Sequence, residues 1–268
     1  MPELPEVETI VRDLSKSLEG KIFSDVIVRD DFLLRQRRED FVRRIRKKSV
    51  AGISRRGKAV IIGLSCGSFL VIQPMMTGQL VIDGQEDRHS RIVFNFSDGT
   101  RLLYNDQRRF GQLRAVDDLK DVPYFNILGP EPFAAQFSPA YMAWAFRRSR
   151  RPVKNSLLDH TFVAGIGNIY ACEILFRSAL APRRQACRIS EEKIKTVHRF
   201  IREVLNEAIA HRGSSMRNYR DGRGRKGAFH GRLAVYGREG LPCPRCRRAV
   251  KRVIQAGRST FYCGHCQK

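Results

Sequence analysis

The first residues of the chain could form a covalent catalyst. The sequence begins Met1-Pro2-Glu3-Leu4-Pro5-Glu6. Removal of Met1 would leave Pro2 with a free secondary amine, which can attack an aldehyde-like sugar carbon and form a positively charged iminium. Glu3 and Glu6 lie close enough in sequence to act as acid and base beside that amine. The segment also fits an ordinary helix start, where proline and acidic residues are favoured, so alone it leaves both interpretations open.

The C-terminal segment contains two matched cysteine pairs. Cys243 and Cys246 are followed, after sixteen residues, by Cys263 and Cys266. This spacing is typical of a structural four-cysteine zinc site, and a redox pair is the alternative. Because both pairs have the same C-x2-C spacing, we expect one tetrahedral zinc ion per chain, with His265 as a bystander.

The charge balance indicates a polyanionic partner. Fifty Lys and Arg residues against 27 Asp and Glu residues give a net charge of +23. Nucleic acid is the usual partner of such a chain, although ribosomal proteins and binders of anionic membranes share the property. No apolar run approaches the ~20 residues that a membrane span needs, and the acidic N-terminus does not resemble a signal peptide. We therefore expect an intracellular, cytoplasmic protein in a reducing compartment, where a disulfide framework is unlikely. We also expect a monomer.

Two segments of the N-terminal half could insert into a base stack. Asp106–Gly111 places Arg108 and Phe110 two residues apart, a combination suited to filling the gap left by an everted base. The alternative is a β-turn with a core phenylalanine. Met76 is equally ambiguous, because methionine is more often a core residue.

Basic residues elsewhere could contact phosphates. Lys58 could be a second catalytic ammonium or a phosphate contact. Asn168 follows two glycines at a predicted helix start, where free backbone N–H groups can hold a phosphate. Arg258 lies in the predicted loop between the cysteine pairs. From His211 onward, fifteen Lys and Arg residues accompany only two acids, so this end is predicted to face phosphates.

The elements that must position these residues form an α+β chain. An apolar stripe through Leu4, Val7, Val11, Leu14 and Leu18 predicts an N-terminal helix. Short strands separated by turn signals follow it and predict an antiparallel β-sandwich. They are expected at 22–29, 59–64, 68–73, 91–96, 101–104 and 112–116.

Domain boundaries follow from the change in pattern. We expect a catalytic β-sandwich domain over 1–122 and a proline- and glycine-rich linker over 123–134. A helical domain is expected over 135–234, with helices opening at Ser138 and Ser190, and the zinc finger over 235–268.

Together these motifs resemble the formamidopyrimidine-DNA glycosylases, which are bifunctional base-excision repair enzymes. The resemblance spans nearly the whole chain and implies an N-terminal β-sandwich, a helix–two-turn–helix domain and a four-cysteine finger. The motifs that carry it are PELPEVET at 2–9, RRGK at 55–58, DQRRFG at 106–111, LGPEP at 128–132, VAGIGNIYACEILF at 163–176, VYGREG at 235–240 and RSTFYCGHCQ at 258–267.

The resemblance implies catalytic roles for five residues. Pro2 would be the Schiff-base nucleophile, Glu3 the acid at the sugar ring oxygen, and Glu6 its support. Lys58 would assist β-elimination, and Arg258 would contact the phosphate involved in δ-elimination.

The resemblance also implies DNA contacts. Met76, Arg108 and Phe110 match the trio that fills the space of the everted nucleotide. Three further residues match phosphate-contacting positions of the family, namely His89, Lys154 and Asn168.

The segment from Gly213 to Gly237 would cover the everted base, and its GSS start favours oxidised purines. Its Arg- and Gly-rich part, 220–227, is expected to be mobile without a ligand. Gln73-Pro74 and Arg91 depart from the family pattern near the inserted methionine. An endonuclease VIII-like enzyme for oxidised pyrimidines is one alternative, and a non-catalytic zinc protein that binds nucleic acid is another. Cys66, Cys172 and Cys187 are expected to be small core residues.

Overall fold

A computed structural model describes residues 1–216 and 218–268. The chain divides into two compact units, one formed by residues 1–126 and 209–230 and the other by residues 127–208 and 231–268. The α-helices are α1 (Leu4–Leu18), α2 (Arg38–Ile45), α3 (Pro123–Asn126), α4 (Pro139–Arg147), α5 (Val153–Leu158), α6 (Asn168–Arg177) and α7 (Glu191–Ala210). The strands are β1 (Phe23–Val28), β2 (Val50–Arg56), β3 (Ala59–Leu64), β4 (Phe69–Gln73), β5 (Gly78–Ile82), β6 (Ser90–Phe96), β7 (Arg101–Asp106), β8 (Gln112–Val116), β9 (Lys251–Gln255) and β10 (Arg258–Tyr262).

Two four-stranded antiparallel sheets form the first unit. One has the strand order β1-β6-β7-β5 and the other the order β2-β3-β4-β8. Apolar side chains from both sheets meet in one core, including Phe94 of β6 and Ile62 of β3. Each fully buried side chain of this kind contributes roughly 1.5–3 kcal/mol through the hydrophobic effect. The predicted β-sandwich is therefore confirmed.

Helix α1 packs on this core through the predicted stripe. Val7, Ile10 and Leu14 are fully buried in the same cluster as the strands. The helix begins at Leu4 because Glu3 has an extended backbone and forms the N-cap, with Pro5 in the first turn. Pro2 thus stands just before the helix, held at the sandwich by a well-packed element.

Helices dominate the second unit. The Ser138 hydroxyl accepts a hydrogen bond from the Tyr141 N–H at 3.1 Å, which confirms the predicted cap of α4. Helix α5, Val153–Leu158, is followed by a turn into α6. Strands β9 and β10 form a two-stranded hairpin near the chain end. The domain boundaries at 122, 134 and 234 stay predictions.

Two strands and two helices of the first unit were not predicted from the sequence. Strand β2 and helix α2 lie in or beside the basic stretch 35–48, where frequent arginines obscure the apolar periodicity. Strand β5 follows Met76, where a glycine masks the strand pattern. Helix α3 is a short turn inside the predicted linker. The six strands that were predicted are present with ends shifted by at most two residues.

The three cysteines outside the zinc motif differ in environment. Cys172 is buried, as expected. Cys187 is half-buried and Cys66 is exposed, so the core prediction is wrong for Cys66, which lies in the turn between β3 and β4. Among the described residues, every helix is too short or too polar to cross a membrane.

Candidate active site and nucleic-acid interface

The start of α1 gathers the predicted catalytic carboxylates. Pro2 is buried, and Glu3 and Glu6 are 4% and 2% exposed. The Glu6 carboxylate accepts the Glu3 backbone N–H at 2.8 Å and the Ser214 backbone N–H at 2.7 Å. Glu6 therefore joins the N-terminal turn to the segment that follows α7. Sequence reasoning assigned Glu6 a supporting role but gave no signal for Ser214.

The environment of the N-terminal amine suits a nucleophile. In the unprocessed chain this amine belongs to Met1, and burial lowers its pKa below the ordinary value. The carboxylates of Glu3 and Glu6 oppose this shift, while the cations of Lys58 and Arg108 reinforce it. A lowered pKa increases the fraction of neutral amine at neutral pH, which is the nucleophilic form. Four predicted site residues thus act electrostatically on one amine.

Lys58 is placed by the turn between β2 and β3. Gly57 has a φ of 58° and so permits the two-residue turn that presents Lys58. The Arg55 guanidinium donates to the Gly57 carbonyl at 2.9 Å and pairs with Glu8 of α1 at 3.1 Å. Arg55 therefore holds the turn against the helix that carries Pro2. The RRGK motif contains Arg55, but its spacing alone did not reveal this partner.

The predicted gap-filling residues are exposed. Met76 is 40% exposed and Phe110 46% exposed. Arg108 is also exposed, and its guanidinium carbon lies 4.5 Å from the centre of the Phe110 ring. A core role for Phe110 is therefore wrong. Arg108 and Phe110 lie in the loop between β7 and β8.

Asp106 fixes this loop and was not singled out from the sequence. It is fully buried at the end of β7 and accepts the backbone N–H of Gly111 at 2.8 Å and of Arg108 at 3.2 Å. The Thr77 hydroxyl donates to the same carboxylate. Asp106 therefore links the loop of Arg108 to the residue after Met76. Arg91, one of the departures from the family pattern, donates to the Asp106 carbonyl at 3.0 Å.

His89 contacts Asp106 through the backbone. Its carbonyl accepts the Asp106 N–H at 2.9 Å. Its Nδ1 atom is buried and has no hydrogen-bond partner among the described residues. His89 also lines a polar cleft of about 210 Å³ together with Thr77, Gln79, Asp87, Asn105, Gln107, Asn218 and Arg220.

In the second unit, two predicted phosphate-contacting residues meet the zinc hairpin. Lys154 is fully buried, and its ammonium donates to the Thr260 hydroxyl at 2.7 Å and the Ser259 carbonyl at 3.3 Å. Asn168, the first residue of α6, donates to the same carbonyl at 2.9 Å. Arg258 adjoins Ser259, is exposed, and begins β10 rather than lying in the turn. The three residues therefore share one neighbourhood, although Lys154 is more buried than its predicted role suggested.

The four cysteines have the geometry of a tetrahedral zinc site. Their sulfur atoms all lie within 4.8 Å of one another, with 3.9 Å between Cys243 and Cys266 and 3.5 Å between Cys246 and Cys263. A Zn–S bond of ~2.3 Å gives a tetrahedral S–S separation of about 3.8 Å, which these distances bracket. The four cysteines fit one structural zinc ion. Among the described residues, His265 is exposed and does not belong to this ligand group.

We predict that Cys246→Ser loses the bound zinc and most DNA affinity while the β-sandwich stays folded. The reason is that metal ligation supplies the folding energy of a small hairpin. Zinc analysis, DNA titration and thermal melting measure the three effects. Cys187→Ser is the matched control, since it removes a thiol outside the cluster. Protein purified without chelator that contains no zinc would contradict the assignment.

Comparisons with known proteins agree with this architecture. The chain matches the Formamidopyrimidine-DNA glycosylase N-terminal domain over residues 1–113, the corresponding H2TH domain over 128–220, and a zinc finger found in FPG and IleRS over 240–268. A formamidopyrimidine-DNA glycosylase of Ruegeria sp. strain TM1040 is 38% identical over the full length of both chains.

Solved structures agree as well. The MutM (Fpg) protein of Thermus thermophilus aligns with a TM-score of 0.91 at 39% identity, covering 99% of this chain and 98% of that one. The Lactococcus lactis Fpg aligns with a TM-score of 0.93 at 32% identity in a complex with abasic-site DNA, covering 99% of each chain. A mutant of that protein with Fapy-dG DNA gives the same TM-score and identity over all of both chains. The chain belongs to the formamidopyrimidine-DNA glycosylase family.

Proposed function

We propose that this protein excises oxidised purines, such as 8-oxoguanine and formamidopyrimidines, from duplex DNA and then cuts the strand by β,δ-elimination. The observation that carries the proposal is the buried Pro2 just before α1, next to the carboxylates of Glu3 and Glu6, which are 4% and 2% exposed. The related Lactococcus lactis protein has been crystallised with Fapy-dG DNA and with abasic-site DNA, which represent a substrate and an intermediate of such a reaction.

Base removal begins at the amine of Pro2 once Met1 has been removed. The Pro2 nitrogen attacks the sugar C1′ and gives up its own proton. The bond from C1′ to the base breaks, and the base leaves with that electron pair and takes up a proton. Glu3 protonates the ring oxygen, which opens the sugar. The product is an iminium between C1′ and Pro2 that needs no further proton to remain charged.

Strand scission follows because the iminium withdraws electrons. Loss of the C2′ proton expels the 3′ phosphate in β-elimination, with Lys58 assisting. Loss of the C4′ proton then expels the 5′ phosphate in δ-elimination, with Arg258 at the phosphate. Hydrolysis of the remaining imine frees Pro2.

Eversion of the damaged nucleotide needs groups that replace it in the stack. Met76, Arg108 and Phe110 take that role, since an exposed aromatic covered by a guanidinium can occupy the gap. His89, Lys154 and Asn168 contact phosphates on either side, and the net charge of +23 supplies the attraction to duplex DNA. The zinc ion is structural and holds the finger that carries Arg258.

Two alternatives make different demands on the chain. A non-catalytic nucleic-acid-binding protein needs no buried amine beside two carboxylates. An endonuclease VIII-like enzyme would excise oxidised pyrimidines, and parallel duplexes carrying 8-oxoguanine or an oxidised pyrimidine separate the two specificities. We also propose that the protein acts in the cytoplasm, where it associates with DNA, and that it acts as a monomer.

We predict that Pro2→Gly, or a variant that retains Met1, forms no borohydride-trapped complex with an 8-oxoguanine duplex but still binds it. Both changes remove the free secondary amine and leave the DNA-contacting residues intact. Trapping is measured by a gel shift under denaturing conditions, and binding by titration. Lys58→Ala is the discriminating variant, because it should still be trapped if Pro2 is the nucleophile. Undiminished trapping of Pro2→Gly, with its loss in Lys58→Ala, would move the nucleophile to Lys58.

A second prediction concerns Phe110. Because the ring is 46% exposed, Phe110→Ala should change the free energy of unfolding by only about 0.5 kcal/mol, against ~3–5 kcal/mol for the fully buried Phe94. Excision of 8-oxoguanine from duplex DNA should fall about tenfold or more, because the enzyme must offset a few kcal/mol of unstacking. Cleavage at an abasic site should fall less.

Phe32→Ala is the matched control for Phe110→Ala. Phe32 is also exposed and lies 5.3 Å from an arginine guanidinium, that of Arg109. Its loss should leave both rates unchanged. A large fall in melting temperature for Phe110→Ala, with equal loss of both activities, would exclude the gap-filling role.

A further inference from the structure

A network of buried charges fixes the segment that follows α7, and the reaction steps above do not use it. Asp221 is fully buried and accepts the backbone N–H groups of Arg223 at 3.0 Å and Arg225 at 2.9 Å. It also accepts the Arg212 Nε–H at 2.8 Å. These contacts run against the expectation that 220–227 is mobile without a ligand, because its own backbone is bound to a buried carboxylate.

Asp13 connects this network to α1. Asp13 is 5% exposed. Its carboxylate pairs with Arg212 and accepts the Gly222 N–H at 3.1 Å. The Gly222 carbonyl in turn accepts the Ile82 N–H of β5 at 2.9 Å. A side chain at Gly222 would place its Cβ 2.6 Å from the Asp13 Cβ. Only glycine allows the backbone to approach the helix this closely.

The same segment touches α1 at a second point. Ser214 donates its N–H to Glu6, one residue after Gly213, whose φ is +76°. Asp13 is seven residues, or about two turns, beyond Glu6 on the same helix face. Helix α1 therefore holds the described residues of the segment 213–230, namely 213–216 and 218–230, at two points. Pro2 precedes the first turn of that helix. The described residues of the segment are thus hydrogen-bonded directly to the helix that follows Pro2.

We propose that Asp13, Arg212, Asp221 and Gly222 form a clamp that positions the segment 213–230 for base excision. The proposal rests on the proposed function and on the family resemblance, which implies that residues 213–237 cover the everted base. Pre-ordering the segment removes the entropy cost of closing it over each base. A substrate that already lacks its base needs no such cover, so the clamp acts on excision and not on cleavage of an abasic site.

Arg212 connects the two sides of the clamp, helix α1 and the segment that follows α7. It contacts both Asp13 on the helix and Asp221 in the segment, and its own φ is 60°. Two carboxylates sharing one guanidinium are each compensated by charge-assisted hydrogen bonds. Removing one carboxylate leaves the other still paired, so the clamp can be loosened without leaving an uncompensated buried acid.

The test uses two variants that loosen the clamp by different means. Asp13→Asn removes one charge, and Gly222→Ala keeps all charges but forces the backbone away from Asp13. Asp98→Asn, which breaks an exposed pair with Lys21, is the matched charge control. Gly52→Ala, which has open space around its Cβ, is the matched steric control.

Three measurements are made on the whole chain of 268 residues. Hydrogen exchange of the segment 213–230 reports its order. Single-turnover rates are measured on an 8-oxoguanine duplex and on an abasic duplex, and thermal melting reports overall stability. In both clamp variants we expect faster exchange of the segment and excision slowed roughly 10- to 100-fold, because the segment must then be ordered anew over each base. Abasic cleavage should change less than about twofold, because it needs no ordered cover. Both controls should behave like the unaltered protein.

Equal loss of both activities, or unchanged exchange with unchanged excision, would overturn the clamp. A variant that fails to fold is replaced by Arg225→Ala, which removes an exposed outer contact of Asp221 and should give a smaller effect of the same selectivity. If the unaltered protein excises no oxidised purine, the proposed function fails. The exchange measurement still tests the clamp in that case.

Discussion

The hydrogen bonds of the Glu6 carboxylate hold the proposed active site together. One oxygen accepts the N–H of Glu3 and the other that of Ser214, 208 residues away in sequence. The first bond caps α1 and so sets where the helix begins and where Pro2 stands. The second binds the segment that follows α7. Hydrogen bonds to a charged group contribute about 1.5–3 kcal/mol each, and here they also fix the geometry of two functional elements at once.

Polar anchors also position the turn of Lys58 and the loop of Arg108. Arg55 pairs with Glu8 and holds the turn that presents Lys58. Asp106 binds two backbone N–H groups of the loop that carries Arg108 and Phe110. The sandwich itself is ordinary in its packing. What distinguishes it is that polar anchors stand at the ends of strands β2 and β7, where loops must hold fixed shapes without a core of their own.

Local patterns predicted most of the architecture. The stripe of α1, the cap of α4 and six strands could be predicted because each depends on neighbouring residues in the chain. The zinc site could be predicted because its spacing is nearly sufficient by itself. The sequence could not predict the contacts of Ser214, Asp13 and Asp106. Their partners are either distant in sequence or backbone groups, which leave no pattern of residue types. Arginine-rich stretches also concealed α2 and β2, since long basic side chains obscure the apolar period.

The buried acids explain how so basic a chain keeps its loops ordered. Glu6, Asp106 and Asp221 each accept two backbone N–H groups, and Glu173 accepts three, from residues 234–236. A carboxylate on the surface would repel phosphates, whereas a buried one is removed from the ligand and can bind the donors of a loop that has no ladder partner. Surface arginines then remain available to the polyanion. The +23 charge and the few buried acids are therefore two parts of one arrangement, in which cations attract a polyanion and carboxylates fix the loops of the proposed site.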